Sequence, residues 1–239
     1  MAQPAAHLLS ALNYELLSFP SPEALARAAA EQWSAQLATS TTVALSGGRI
    51  AAGLFRSIVQ LARNTSAIHN QHFFWADERC VPPDDSESNY RAARELLFEP
   101  LAIRSSHIHR IRGEDDPASA AKLASDELVL IAAKNPQGLP VLDLVFLGMG
   151  EDGHVASLFP GGAPQPGIYY PVTGPKPPPR RITLSYDVIV AARDVWILVS
   201  GQGKQAALAR SLAPGGDTPL ARVVQGHKAA RIFCDFSLK

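Results

Sequence analysis

An α/β fold built on a mainly parallel sheet with helices on both faces is what this sequence predicts, on three observations. Short apolar runs alternate with helical patterns along most of the chain, the signature of parallel strands joined by helical crossovers. The run Val141 to Leu147 is apolar and rich in branched residues, as expected of a strand buried on both faces. With 239 residues, 46% of them hydrophobic, the chain can enclose one sizeable core. A single domain over residues 1–239 is expected, because the roughly 60 residues beyond a proline-rich stretch are a thin basis for a second core.

Taken in order, Ser21-Pro22-Glu23 provides an N-cap, a proline at the first helical position and an early acid, so a helix is expected from there to about Ala38. Thr42 to Leu45 reads as a strand that passes through Ser46-Gly47-Gly48 into a helix at about 50–63. Gln71 to Ala76 is the next strand, and helices follow at 89–98 and 117–134, before the strand at 141–147. Residues 161–179 are dense in Pro and Gly and read as an ordered surface loop or lid. Strands are expected at 182–188, 195–200 and 230–236, with helices at 204–212 and 218–224. No internal repeat interrupts this pattern.

The chemistry concentrates where these strands end, which is where ligands bind on an open α/β sheet. Gly148-Met-Gly150-Glu-Asp152-Gly-His154 follows the strand at 141–147, and its glycines permit a tight turn that holds an acid and an imidazole at a sheet edge. After the first expected strand, Ser46, Gly47 and Gly48 lead into a helix N-terminus, whose free amides and dipole favour an anion. Asp77-Glu78-Arg79-Cys80 follows the second, and Gly201-Gln-Gly-Lys204 follows the strand ending at Ser200, with a lysine suited to a phosphate.

Two motif matches fail in context. Gly148-x-Gly150-x-x-Gly153 spells a dinucleotide fingerprint, but Pro160-Gly161-Gly162 stops any long helix, and the next acid after Asp152 is Asp187. Ala44-Leu45-Ser46-Gly47-Gly48 is a near miss to a nucleophile elbow, with only one strand candidate preceding or including Ser46. His107 and His109 can share a strand face, but catalytic zinc needs three protein ligands, so no metal is expected. Lys+Arg and Asp+Glu number 22 each, which gives no electrostatic case for nucleic acid. The start of the chain lacks a leader pattern and no apolar run is long enough to span a bilayer, so a cytoplasmic protein without membrane partners is expected. Cys80 and Cys234 are far apart and read as reduced thiols, Cys80 lying beside the candidate site.

Together, Leu-Ser-Gly-Gly at 45–48, Asp-Glu-Arg-Cys-Val-Pro at 77–82 with Ser88-Asn89, Gly148 to Pro160, Arg-Ile-Thr-Leu at 181–184 and Gly-Gln-Gly-Lys at 201–204 resemble the 6-phosphogluconolactonase family. Order and spacing match from about residue 20 to 236. Related glucosamine-6-phosphate deaminases share Asp-Gly-His but continue to Asn-Glu-Pro, whereas here the segment continues Ala156-Ser-Leu-Phe-Pro160. The resemblance implies a Rossmann-like sheet of the sugar-phosphate isomerase/deaminase type, no metal or cofactor, and hydrolysis of 6-phosphoglucono-δ-lactone in the oxidative pentose phosphate pathway. On this expectation His154 is the general base on water and Asp152 orients it. Arg79 and amides of the glycine turn, Gly150 among them, stabilise the oxyanion or hold sugar hydroxyls. Ser46, Gly47, Gly48, Lys204 and one of Arg180 or Arg181 hold the phosphate, with Asp77 on the sugar side.

The chain departs from the family at one point. The phosphate loop usually reads Ser-Gly-Gly-Ser-Thr-Pro and here reads Ser46-Gly-Gly-Arg49-Ile50-Ala51, losing two hydroxyls and a proline. Arg49 either replaces those contacts with its planar fork or points to solvent. An amino-sugar-phosphate deaminase or isomerase and a non-catalytic sugar-phosphate sensor are the alternative readings. A monomer is expected, since no coiled-coil pattern is present.

Overall fold

The computed structural model describes residues 13–39, 41–62 and 66–238. The elements run β1 (Tyr14–Ser18), α1 (Pro22–Gln36), β2 (Thr42–Leu45), α2 (Arg49–Ala62), β3 (His72–Trp75), β4 (Asp77–Arg79), α3 (Asn89–Ala93) and α4 (Pro117–Ile131). They continue with β5 (Ala133–Lys134), β6 (Pro140–Val141), β7 (Leu144–Gly148), β8 (Tyr169–Thr173), β9 (Arg180–Leu184), α5 (Tyr186–Ala191), β10 (Asp194–Val199), α6 (Gln205–Leu212), α7 (Pro219–Gly226) and β11 (Ala230–Cys234).

Six strands form a parallel sheet in the order β1-β11-β10-β7-β2-β3. Leu144, Val145, Phe146 and Leu147 of β7 are all buried. Because successive side chains of a strand point to opposite faces, both faces of the sheet are covered, as the apolar run predicts. On one side α1 and α2 pack together, and Trp33 of α1 meets Phe146 edge-on with ring centroids 5.0 Å apart. The helices begin where local chemistry dictates: Ser21, Asp116, Ser185 and Thr218 each accept an amide of the following turn, and α1, α4 and α7 carry a proline in that turn.

From β2 the chain moves outward to β3, whereas β7 is followed outward on the other side by β10 and β11. The junction of β2 and β7 is therefore the topological switch point, where a crevice opens at the carboxyl ends of the strands. The two strands are in ladder register only at Val43–Leu144 and Ala44–Val145. Beyond that, the Ser46 hydroxyl bridges to the Phe146 carbonyl at 2.8 Å, so backbone pairing gives way to a side-chain link as the crevice widens.

Several elements differ from the sequence expectation. β1 has no counterpart in the sequence expectation; it pairs with β11, more than 200 residues later, so its partner is invisible to local patterning. The segment expected as one strand at 182–188 is β9 followed by α5, because Ser185 caps a helix by accepting from the Val188 amide at 3.3 Å. The 161–179 stretch contains β8, which joins β9 and β4 in a second, antiparallel sheet. Helix at 89–98 is present as α3 continued by a π turn over Arg94–Phe98. The helix expected to reach residue 134 stops at Ile131, beyond which β5 and β6 form a small hairpin.

Candidate active site

A cavity of about 700 Å³ occupies the switch point. Its walls come from the ends of β2 and β7, the start of α2, β4 and β9 of the second sheet, and the turn after β10. Of the residues named from sequence, Ser46, Gly47, Gly48, Arg49, Asp77, Arg79, Gly150, His154, Arg181 and Lys204 line it. Asp152 stands behind His154, and Arg180 is outside.

His154 is held from two directions. Its Nδ1 lies 2.5 Å from Asp152 Oδ1, and its backbone amide donates to the same oxygen at 3.2 Å. Phe159 lies against the imidazole with a centroid separation of 5.0 Å. Burial is the largest influence on Asp152 and pushes its carboxyl up, but the side-chain and amide bonds from His154 outweigh it and hold it below the usual range. An ionised Asp152 accepts a hydrogen bond from Nδ1–H, which keeps the proton on Nδ1 and leaves Nε2 as the basic nitrogen of the imidazole.

Gly150 makes this arrangement possible by lacking a side chain, not by the amide donation expected of it. Its amide donates to the His154 carbonyl at 2.9 Å, so it has no donor to offer an oxyanion. Its contribution is space: a Cβ there would sit 2.1 Å from His154 Nδ1 and Cε1 and 2.7 Å from Asp152 Oδ1.

The second sheet decides which arginine faces the cavity. In the antiparallel ladder Arg79 is opposite Arg181 and Asp77 is opposite Thr183, and directly opposed residues share a face. Arg181 is buried, donating through Nε to the Pro178 carbonyl at 3.0 Å, with its guanidinium 5.8 Å from the Phe159 ring. Arg180, one residue away, points to the other face, where it is exposed and its charge acts on Cys80. Of the two, Arg181 lines the cavity and Arg180 does not.

Asp77 is buried and accepts from Ser157 Oγ at 2.5 Å and Asn89 Nδ2 at 3.4 Å. Arg79 donates through Nη1 to the Glu87 carbonyl, while its Nε is buried with no partner among the described residues. Arg79 also lines the cavity, and a guanidinium there is a cationic donor of the kind that suits a negative oxygen. Behind it, Glu78 accepts from the amides of Arg79, Asn89 and Tyr90 and from Ser88 Oγ; burial pushes its carboxyl up to about 7 against those bonds.

The phosphate-type features lie in the turn from β2 into α2 and in the turn after β10. Gly48 has φ +94°, and a Cβ on Gly47 would lie 1.8 Å from Asn89 Oδ1, so both positions require glycine. The amides of the first turn of α2 have no intrahelical acceptors. Lys204 is brought in by the turn after β10, which Asp235 organises by accepting from Ser200 Oγ at 2.6 Å and from the Gly201 amide at 2.9 Å. Burial and then Arg49 lower its pKa, against Glu151 and Asp235. Ser46, by contrast, spends its hydroxyl on the Phe146 carbonyl and is buried in the β2–β7 seam, which gives it a structural task. Local patterning missed Arg56 and Asp235, and Ser157 and Asn89 entered only as parts of motifs; Ser157, Asn89 and Asp235 act through partners distant in sequence.

His107 and His109 are far from this cavity in the fold, at the amino end of β3. His109 Nε2 lies 2.9 Å from His72 Nδ1, and the His107 ring stacks on His72 at 4.4 Å.

The family model for glucosamine-6-phosphate isomerases/6-phosphogluconolactonase matches residues 20–232. The chain belongs to this family. A relative from Treponema pallidum named 6-phosphogluconolactonase is 37% identical over 184 residues, covering 74% of this chain and 75% of the relative. One from Mycobacterium leprae with the same name is 35% identical over 192 residues, covering 76% and 77%. Among solved structures, the 6-phosphogluconolactonase of Thermotoga maritima superposes with a TM-score of 0.77 at 26% identity, over 93% of this chain and 99% of that one. A monomeric glucosamine-6-phosphate deaminase shares the fold, with a TM-score of 0.80 at 19% identity over 94% and 100% of the two chains.

Proposed function

We propose that this protein hydrolyses 6-phosphoglucono-δ-lactone to 6-phosphogluconate, the lactone-opening step of the oxidative pentose phosphate pathway, and acts as a cytoplasmic monomer. The observation that carries the proposal is the Asp152–His154 pair, 2.5 Å apart, with the imidazole on the wall of a cavity whose rim is cationic. The family and the names of its curated members support the same substrate.

In the proposed mechanism Asp152 keeps the proton on Nδ1, so Nε2 takes a proton from a water as its oxygen attacks C1 of the lactone. Negative charge develops on the carbonyl oxygen, and Arg79 is the donor suited to meet it. Collapse of the tetrahedral intermediate breaks the bond from C1 to the ring oxygen. His154 returns its proton to that leaving oxygen, and the new carboxylic acid ionises, releasing one proton to solution. A lactone is already activated toward attack, so this route needs no covalent enzyme intermediate. Asp77 is assigned to the sugar hydroxyls; Gly47, Gly48, the first turn of α2, Arg49, Arg181 and Lys204 are assigned to the phosphate.

The test is proton release from freshly generated lactone, measured above its spontaneous hydrolysis. Wild type is expected to accelerate it, and His154→Ala to lose about a hundredfold or more of the turnover. A well-folded His154→Ala protein with intact turnover would remove His154 from the mechanism.

A further inference from the structure

The cavity extends past the phosphate rim into an arm between the start of α1 and one face of α2. Arg49, Gly53 and Arg56 fall at i, i+4 and i+7 on that face, and all three line the arm opposite Pro22, Glu23 and Ala26. Gly53 keeps the floor open between the two arginines; a Cβ there would already lie 3.2 Å from the Ala26 methyl. Helical side chains lean toward the N-terminus, which carries Arg56 from its own turn back over Gly53 toward Arg49.

Both guanidinium groups are exposed, and neither has a hydrogen bond or ion pair among the described residues. Other surface arginines pair with carboxylates, as Arg27 does with Glu31 and Arg91 with Glu95, whereas exposed Arg104, Arg112 and Arg180 stand outside any ion pair among the described residues and outside the cavity. The one carboxylate in the arm, Glu23, is engaged by its own backbone amide and the Ser21 side chain. The arm is therefore a positively charged extension lying beyond the phosphate clamp and away from His154.

We propose that this arm is a second anion subsite, contiguous with the phosphate clamp, which receives the outer phosphoryl group of a diphosphate. The ligand class is a pyrophosphate ester such as a nucleoside diphosphate, whose inner phosphoryl group occupies the clamp formed with Lys204 while Arg56 takes the outer one. This ligand competes with the phosphosugar for the clamp, so it acts as an inhibitor of the lactonase. The inference rests on the phosphate assignment made above.

Calorimetric titration with inorganic phosphate and inorganic pyrophosphate tests it, with competitive inhibition of lactone hydrolysis as the second readout. Wild type is expected to bind pyrophosphate at least tenfold more tightly than phosphate. Arg56→Gln is expected to weaken pyrophosphate about tenfold while moving phosphate less than twofold. Arg104→Gln, an equal change in net charge at an exposed position outside the cavity, is expected to change neither. Equal losses for both anions in Arg56→Gln would make Arg56 part of the single phosphate clamp and overturn the proposal. So would no loss, or the same loss in Arg104→Gln. Wild type that binds phosphate without preferring pyrophosphate sinks the second subsite alone; wild type that binds neither anion removes the phosphate clamp as well.

Discussion

Replacing Gly150 by alanine isolates the geometry of the Asp152–His154 pair without deleting either residue. The backbone at Gly150 is not in the left-handed region, so alanine is tolerated there on conformational grounds. Its methyl, however, would sit 2.1 Å from two imidazole atoms, whereas carbon atoms in contact prefer about 3.5 Å or more. The ring must move by about 1.4 Å or more to relieve this, far enough to break the 2.5 Å bond to Asp152. A misplacement of about 1 Å costs on the order of a hundredfold in rate, and loss of an oriented base up to about ten-thousandfold. The expected outcome is a kcat lower by about 10²- to 10³-fold, or about 2.7 to 4 kcal/mol of barrier, with KM within a few-fold because the cationic rim is untouched. Both partners are partly exposed, so the lost bond should cost only about 1 kcal/mol of stability. Gly148→Ala is the folding control, since a Cβ there meets nothing closer than the Gly47 carbonyl at 4.0 Å. The assay is proton release on fresh lactone, with urea unfolding to confirm the fold. Gly150→Ala with wild-type kcat would refute the argument that this glycine exists to seat the imidazole.

Arg49→Ala is expected to raise KM for the phosphorylated lactone about tenfold while changing kcat little; equal KM values would return Arg49 to solvent. Ser46→Ala leaves the Phe146 carbonyl short of a buried donor, so it should cost about 1 to 2 kcal/mol in urea unfolding with a smaller effect on KM; a large KM change at unchanged stability would restore Ser46 as a ligand. Burial, reinforced by His107, pushes His109 down to about 4, and burial lowers His72 as well. Between about pH 6.5 and 4 the unfolded chain therefore binds more protons at His109 than the native protein does, so stability falls as pH is lowered through that window, by up to about 1.4 kcal/mol per pH unit. From pH 6.5 to 5 His109 alone should account for about 1.6 kcal/mol, and His109→Gln should remove that part of the slope; an unchanged slope would contradict it.

The sequence alone determined the features that rest on short-range chemistry. β2 was read at its observed bounds, and the start of α1 was marked by a cap followed by proline, because these signals lie within a few residues of the element they start. The glycine turn that carries Asp152 and His154 was legible for the same reason: the two residues and the glycines that bend the backbone around them are neighbours in the chain. Whatever depends on pairing across the chain was decided by tertiary structure. Whether Arg180 or Arg181 enters the cavity follows from the register of β9 against β4, about a hundred residues earlier, and a shift of one residue would exchange them. Ser46 became a seam residue because β7 presents the Phe146 carbonyl to it, and Gly150 lost its expected donor role because the turn closes on the His154 carbonyl. The stack of His72 with His107 and His109, and the open face between Arg49 and Arg56, likewise arise where separate elements pack together. Side-chain type sets what a residue can do; which partners reach it is fixed by strand register and helix packing, and these are properties of the whole fold.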